Sequence, residues 1–190
     1  MAETPSRMLE LGTQLPSARL VNAVDGLEVD VDALAKGKKG LLVLFLCNHC
    51  PYVVHIRAEL VRAAHEALDR GLAVVAINSN DAGSHPQDGP PAMARLAKTE
   101  AWRFPFLFDD TQDVARAFHA VCTPDLFLFD ASQRLAYRGQ FDDSRPSNGK
   151  PVTDSNVLDL LDKGAKGMPA FKEAFSADDK SDLLAYLKTL

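Results

Sequence analysis

The apolar run Leu41–Leu46 (LLVLFL) leads directly into Cys47-Asn48-His49-Cys50-Pro51. No other stretch constrains the fold as strongly. A run of strand length without polar alternation suits a strand buried on both faces, in a sheet covered by helices. Pro51 then opens a helix, where its missing N–H costs little. Val53, Ile56, Leu60, Ala64 and Leu68 recur near helical spacing up to Arg70, and Gly71 is a natural terminator. Two thiols three positions apart therefore mark the point where a buried strand becomes a helix.

The rest of the chain repeats the alternation. Ala18–Val24 and Leu27–Val31 flank Asp25-Gly26 and read as a hairpin, with a short helical turn from Asp32. Leu72–Ile77 is a second buried strand. Asn78–Pro91, with three prolines, reads as a loop, and Ala92–Glu100 as a helix. Phe104–Asp109 is extended, and Thr111 is placed as the cap of a helix through Phe118. Asp125–Asp130 and Arg134–Phe141 form an antiparallel pair around Ala131-Ser132-Gln133, followed by a polar loop at 142–151. Val157–Leu161 and the segment from Ser176 to Leu190 read as helices, with 162–175 as a connecting stretch. Strands alternating with helices predict an α/β fold. We place one domain at 1–155 and a C-terminal helical extension at 156–190.

Composition narrows the function. The net charge of −5 gives no reason to expect nucleic acid or an anionic membrane as a partner. The N-terminus lacks the basic and apolar pattern of a secretory signal, and no run approaches the ~20 residues that span a bilayer. A cytoplasmic protein is expected. Three cysteines in 190 residues are not a structural disulfide framework.

Cys47 and Cys50 carry the chemistry. At a helix N-terminus, free N–H groups and the positive end of the dipole favour a thiolate, the nucleophile of thiol–disulfide exchange. His49 between them would add to this if protonated. A metal reading assembles Cys47, Cys50, His49 and Cys122 on paper, without a second CxxC or a paired-His motif. Haem attachment needs CxxCH, and Pro51 holds the histidine's place. We assign no metal and no cofactor.

Several ordered blocks, LFLCNHCPYV (44–53), VVAINSND (74–81), FPFLFDDTQDVARAF (104–118), CTPDLFLFD (122–130) and YRGQFDDSRPSNGKPVT (137–153), resemble the thioredoxin-fold superfamily. They are closest to small proteins related to the peroxiredoxin group (alkyl hydroperoxide reductase/thiol-specific antioxidant, AhpC/TSA). The resemblance implies a thioredoxin-like fold, with a central mixed sheet flanked by helices, an N-terminal hairpin extension and a C-terminal helical tail. It implies Cys47 as the exposed attacking cysteine and Cys50 as the more buried, resolving one. Asn48, His49 and Pro51 support the site. Pro124 would be a cis-proline beside it, with Thr123 presenting backbone to the substrate. Cys122 falls nearby, as a third redox thiol or a small buried residue.

The chain also departs from the resemblance. Cys50 holds the peroxidatic position of Pro-x-x-x-Thr/Ser-x-x-Cys, but Val43 and Cys47 replace the proline and the hydroxyl. Arg138 is read as a solvated strand-face residue rather than a peroxidatic arginine. The tail KGMPAFKEAFSADDKSDLLAYLKTL is similar to the end of a class I cytochrome c, yet without CxxCH Met168 is given no haem role. We read the tail as an amphipathic helix with Leu183, Leu184, Leu187 and Leu190 near one face.

Four functions follow. The first is a thiol–disulfide oxidoreductase cycling Cys47 and Cys50, with an antioxidant or redox-maintenance role. Its partners would be a protein or small-molecule disulfide or thiol and a separate reductant or oxidant. The second is a thiol peroxidase using Cys50. The third is a metal-binding or regulatory module, and the fourth a non-catalytic scaffold. Among other residues, His55 is placed on a solvated helix face and Trp102 in packing. Asp109, Asp110, Asp142 and Asp143 take capping and turn roles. Asn78–Asp81 is placed at the rim of the site.

Overall fold

The computed structural model describes residues 9–152. The extension proposed at 156–190 lies outside them. The hairpin forms as β1 (Arg19–Asn22) and β2 (Glu28–Asp30), with Gly26 in the left-handed region that the turn requires (φ +75°). Asp30 caps α1 (Val31–Ala35) by accepting the Ala33 N–H. The LLVLFL run forms β3 (Gly40–Phe45), α2 spans Pro51–Asp69, and β4 spans Ala73–Asn78.

Two expectations need correction here. The segment read as a loop from Asn78 to Pro91 contains the last residue of β4, a 3-10 turn at Pro86–Asp88 and the first residues of α3 (Pro90–Thr99). The extended Phe104–Asp109 contributes a strand, β5 (Phe106–Phe108), and α4 follows at Asp113–Ala117. Gln112 holds the N-cap position, and Thr111 accepts only the Asp113 N–H, at 3.4 Å. The buried Asp109 carboxylate is the main cap, accepting the Val114 and Ala115 N–H groups at 3.3 and 2.9 Å. A carboxylate is the stronger acceptor at the positive end of a helix. β6 (Asp125–Asp130) and β7 (Leu135–Gly139) close the fold.

The seven strands form one mixed sheet in the order β2-β1-β5-β4-β3-β6-β7. β3 runs parallel to β4 and antiparallel to β6, so its apolar run is covered on both faces. Alternate residues divide between two cores. Leu41, Val43 and Phe45 pack with Phe118, Phe127 and Phe129 on one side. Leu44 and Leu46 pack with Val53, Ile56 and Leu60 of α2 and Met93 of α3 on the other. Fully burying one such side chain stabilises by roughly 1.5–3 kcal/mol. Gly40 opens β3 where a Cβ would lie 2.6 Å from the Phe129 carbonyl oxygen, so no larger residue fits between β3 and β6 without moving backbone.

Register is what assembles the site. Phe45 pairs with Asp125 on β6 and with Ile77 on β4. The chain just beyond β3 therefore lies beside residues 122–124 on one flank and the segment after Asn78 on the other. No helix among the described residues is long and apolar enough to cross a membrane.

Candidate active site

The two thiols lie at the end of β3 and the N-cap of α2. Pro51 occupies the first helical turn, so no N–H is lost there. Both thiols meet Thr123, which precedes Pro124 through a cis peptide bond. The Cys47 Sγ lies 3.2 Å from the Thr123 hydroxyl. The Cys50 Sγ lies 3.3 Å from the Thr123 carbonyl oxygen, to which it donates as a thiol.

The expected exposure of the pair is reversed. Cys47 is 1% exposed, whereas Cys50 is half-buried. Cys47 still belongs to the inward-packed end of β3, while Cys50 has left the strand for the helix terminus. Their electrostatics diverge with their positions. The Cys50 thiol is lowered to about 5, first by the hydrogen bond from Cys47, then by the Val53 N–H, the Thr123 hydroxyl and the Tyr52 N–H, against the cost of burial. The Thr123 carbonyl opposes the charge, but one acceptor is outweighed by four donors. Cys47 is pushed the other way, first by the same hydrogen bond, which leaves it the proton, and then by burial. The arrangement favours a thiolate at Cys50, with the proton kept on Cys47.

Asp88, which sequence reasoning did not single out, holds the loop between the thiols. It is fully buried. One carboxylate oxygen accepts the Asn48 and His49 backbone N–H groups at 2.8 and 3.3 Å. The other lies 2.5 Å from His49 Nδ1 and accepts Asn80 Nδ2 at 2.9 Å. Asn48 Nδ2 reaches the Gln87 carbonyl at 2.8 Å, and Asn78 Nδ2 the Asp88 carbonyl at 2.9 Å. Thus Asn78 and Asn80, placed at the rim from sequence, stand behind Asp88. The His85 ring stacks on His49 at 4.4 Å between centroids and 9° between planes.

Other residues are placed differently from expectation. Arg138 is not solvated. It is fully buried, donating to Asp125 at 2.9 Å and to the His119 carbonyl at 2.8 Å, over the Phe127 ring. Its β7 position pairs with Phe127 on β6, and the carboxylate there makes burial tolerable. Cys122 is exposed, not a small buried residue. Its thiol is raised, first by the protein packed on its inner side and then by Asp125; the Cys50 charge raises it further and Arg138 opposes. His55 is half-buried and meets Ser144 at 3.1 Å. Trp102 packs on Phe104 and Phe106 as expected. Asp142 accepts from the Ser144 N–H and hydroxyl in a turn.

The model of the family described as Redoxin matches residues 10–161, which includes the whole site. The chain belongs to the Redoxin family. This member shares its fold with an uncharacterized conserved protein from Geobacillus kaustophilus, at 43% identity over 90% of this chain and 89% of that one (TM-score 0.78). A hypothetical protein from Sinorhizobium meliloti 1021 is 41% identical over 88% and 91% of the two chains (TM-score 0.77). The thioredoxin domain of a thiol-disulfide oxidoreductase from Bacteroides vulgatus is 18% identical over 70% and 90% (TM-score 0.57), a likeness of fold. No curated protein matches. The fold is thioredoxin-like, with an open mixed sheet, and membership in Redoxin marks a redox protein.

Among the described residues, one group of potential metal-ligand atoms lies within 4.8 Å of one another, those of Cys47, His49 and Asp88. Cys50 and Cys122 of the four-ligand set considered from sequence are not in it. The 2.5 Å between His49 and Asp88 is a hydrogen-bond spacing. Two ligands of one tetrahedral zinc stand roughly 3.4 Å apart, given bonds of about 2.0–2.2 Å. Asp88 also has its acceptor positions filled by protein donors.

Proposed function

We propose that this Redoxin-family chain is a thiol–disulfide oxidoreductase in which Cys50 attacks and Cys47 resolves. The observation that carries it is the Cys50 sulfur, half-exposed at the N-terminus of α2, where the Cys47 S–H and two backbone N–H groups lower its thiol. The Cys50 thiolate attacks one sulfur of a substrate disulfide. A mixed disulfide forms and the other substrate sulfur leaves as thiolate with the bonding pair. Cys47 then loses its proton and attacks the Cys50 sulfur, and the second substrate thiol departs. The products are a Cys47–Cys50 disulfide and two substrate thiols; a separate dithiol restores the reduced pair. A redox-maintenance role on protein or small-molecule disulfides in the cytoplasm fits this cycle.

Peroxide is the second electrophile that the same thiolate accepts. Cys50 occupies the peroxidatic position, and Cys47 stands ready to condense with a sulfenate, releasing water. Against it, Cys47 replaces the usual hydroxyl and Arg138 is committed to Asp125.

Alkylation rate against pH tests the carrying observation. Iodoacetamide reacts with thiolate, whose fraction grows as pH rises through the thiol's own value. Modification of Cys50 is expected to reach half its plateau near pH 5, read by mass on the Cys50 peptide. A midpoint near ~8.5, that of an ordinary cysteine, contradicts the assignment.

A further inference from the structure

We propose that His49, fixed by Asp88, accepts the Cys47 proton in the second half of the exchange. This rests on the dithiol reading above. Cys47 is buried, and burial favours its thiol form. The Cys50 thiolate that accepted its hydrogen bond is consumed when the mixed disulfide forms. Burial and the Asp88 charge remain, both opposing ionisation. Resolution therefore needs an acceptor close by.

Two candidates lie within 4.8 Å of the Cys47 sulfur, a ring nitrogen of His49 and a carboxylate oxygen of Asp88. The Asp88 oxygens already take four donors, from Asn48, Asn80 and two groups of His49. A carboxylate offers about four acceptor positions, so Asp88 has none left. Its contact with Nδ1 instead sets the tautomer of His49, with the proton on Nδ1 and Nε2 as the acceptor. Asp88 also stabilises the imidazolium once formed. The ring stands beside the Cys47 sulfur, with one of its nitrogens within 4.8 Å, and a bridging water can complete the transfer to Nε2. The His49 side chain is 31% exposed, so the proton can pass on to solvent or to the departing thiolate.

The titratable groups facing His49 are Asp88 on its edge, His85 stacked on its face, Cys47 at the end of β3, and its neighbour Cys50. His85 hydrogen-bonds Ser84 at 2.9 Å and restrains the His49 ring in the plane that Asp88 sets. In the step itself, Cys47 S–H gives its proton to His49 and its sulfur pair forms the bond to Cys50. The bond from Cys50 to the substrate sulfur breaks, and that sulfur takes the electron pair and a proton. Cys47 is oxidised and the substrate sulfur reduced. His49 is a catalytic base here, and Asp88 a positioning residue.

Stopped-flow absorbance with 5,5′-dithiobis(2-nitrobenzoate), on protein carrying Cys122→Ser so that this exposed thiol releases nothing, separates the halves, since attack releases one coloured thiolate and resolution the second. In His49→Gln, the ratio of second-phase to first-phase rate is expected to fall at least about tenfold, within the range of general-base effects. Resolution should depend less steeply on pH with His49 in place than without it. In His49→Gln it should keep rising, as Cys47 ionises unaided. Asp88→Asn should lower the ratio in the same direction. An unchanged ratio and pH profile in His49→Gln overturns the proposal, whether or not Asp88→Asn folds. Protein with Cys122→Ser alone that shows no second phase overturns the dithiol reading instead, and this proposal with it.

Discussion

Cys47→Ser is expected to stall the protein as a mixed disulfide on Cys50, and Cys50→Ser to abolish exchange at the 47–50 pair. The asymmetry follows from where each sulfur lies. Cys50 is half-exposed, with its thiol lowered by donors at the start of α2; Cys47 is sealed beneath it. A serine at 47 keeps a hydroxyl near Thr123 and can still donate to the Cys50 sulfur, so attack proceeds. It cannot displace the second sulfur, so the adduct persists. Mass spectrometry after exposure to a model disulfide reads this as one substrate half attached to the Cys50 peptide. In Cys50→Ser the remaining thiol at 47 is buried and has lost the partner that oriented it. Persistent adduct at Cys47 in Cys50→Ser, with none at Cys50 in Cys47→Ser, would restore the attacking role to Cys47. Treating Cys47→Ser with peroxide also separates the two electrophiles, because a peroxidase forms sulfenate at Cys50 without help from residue 47.

Arg138→Met is expected to cost stability more than any substitution at the site. Arg138 is fully buried and Asp125 nearly so, and they pair at 2.9 Å. Removing one partner of a buried pair costs about 3–5 kcal/mol, mostly as the penalty of the charge left behind, out of a typical total of ~5–15 kcal/mol. Urea unfolding at neutral pH measures the loss. Its pH dependence identifies the cause. Burial already raises the Asp125 carboxyl above its ordinary value, with Arg138 opposing. A carboxyl raised in the folded state favours folding when protonated, and that benefit is lost as pH rises through its folded value. Without Arg138 the carboxyl rises further, so the deficit should shrink as the solution is acidified. Arg138→Met combined with Asp125→Leu should lose less than Arg138→Met alone. A neutral-pH loss below about 1 kcal/mol, the worth of an exposed pair, would mean that the pair is not buried in solution.

The architecture was legible where a local pattern has one physical outcome. The LLVLFL run is too apolar to face water and became the strand covered on both sides. Asp25-Gly26 could do little but turn. The cis bond before Pro124 came from resemblance, since nothing in its own neighbours distinguishes it. The site itself was half legible. Both thiols were visible from spacing, but not which faces inward, because that depends on how far β3 continues before the chain turns into α2. Asp88 was invisible, as one acid among many in a polar loop about forty positions from the residues it holds. Only the pairing of β3 with β4 brings it there. Arg138 was misjudged for a similar reason. Its burial depends on Asp125, which the β6–β7 hairpin places beside it. Thr111 was taken as the cap because it stands nearer in sequence, while the buried Asp109 reaches the next two N–H groups of the helix from the end of β5.

The most direct test is the disulfide itself. Reduced wild-type protein treated with one equivalent of a small disulfide is expected to lose two hydrogens in mass. Digestion under non-reducing conditions should place the bond between Cys47 and Cys50 and leave Cys122 alkylatable, and dithiothreitol should reverse it. Protein that retains both free thiols, or whose only bond involves Cys122, would contradict the account.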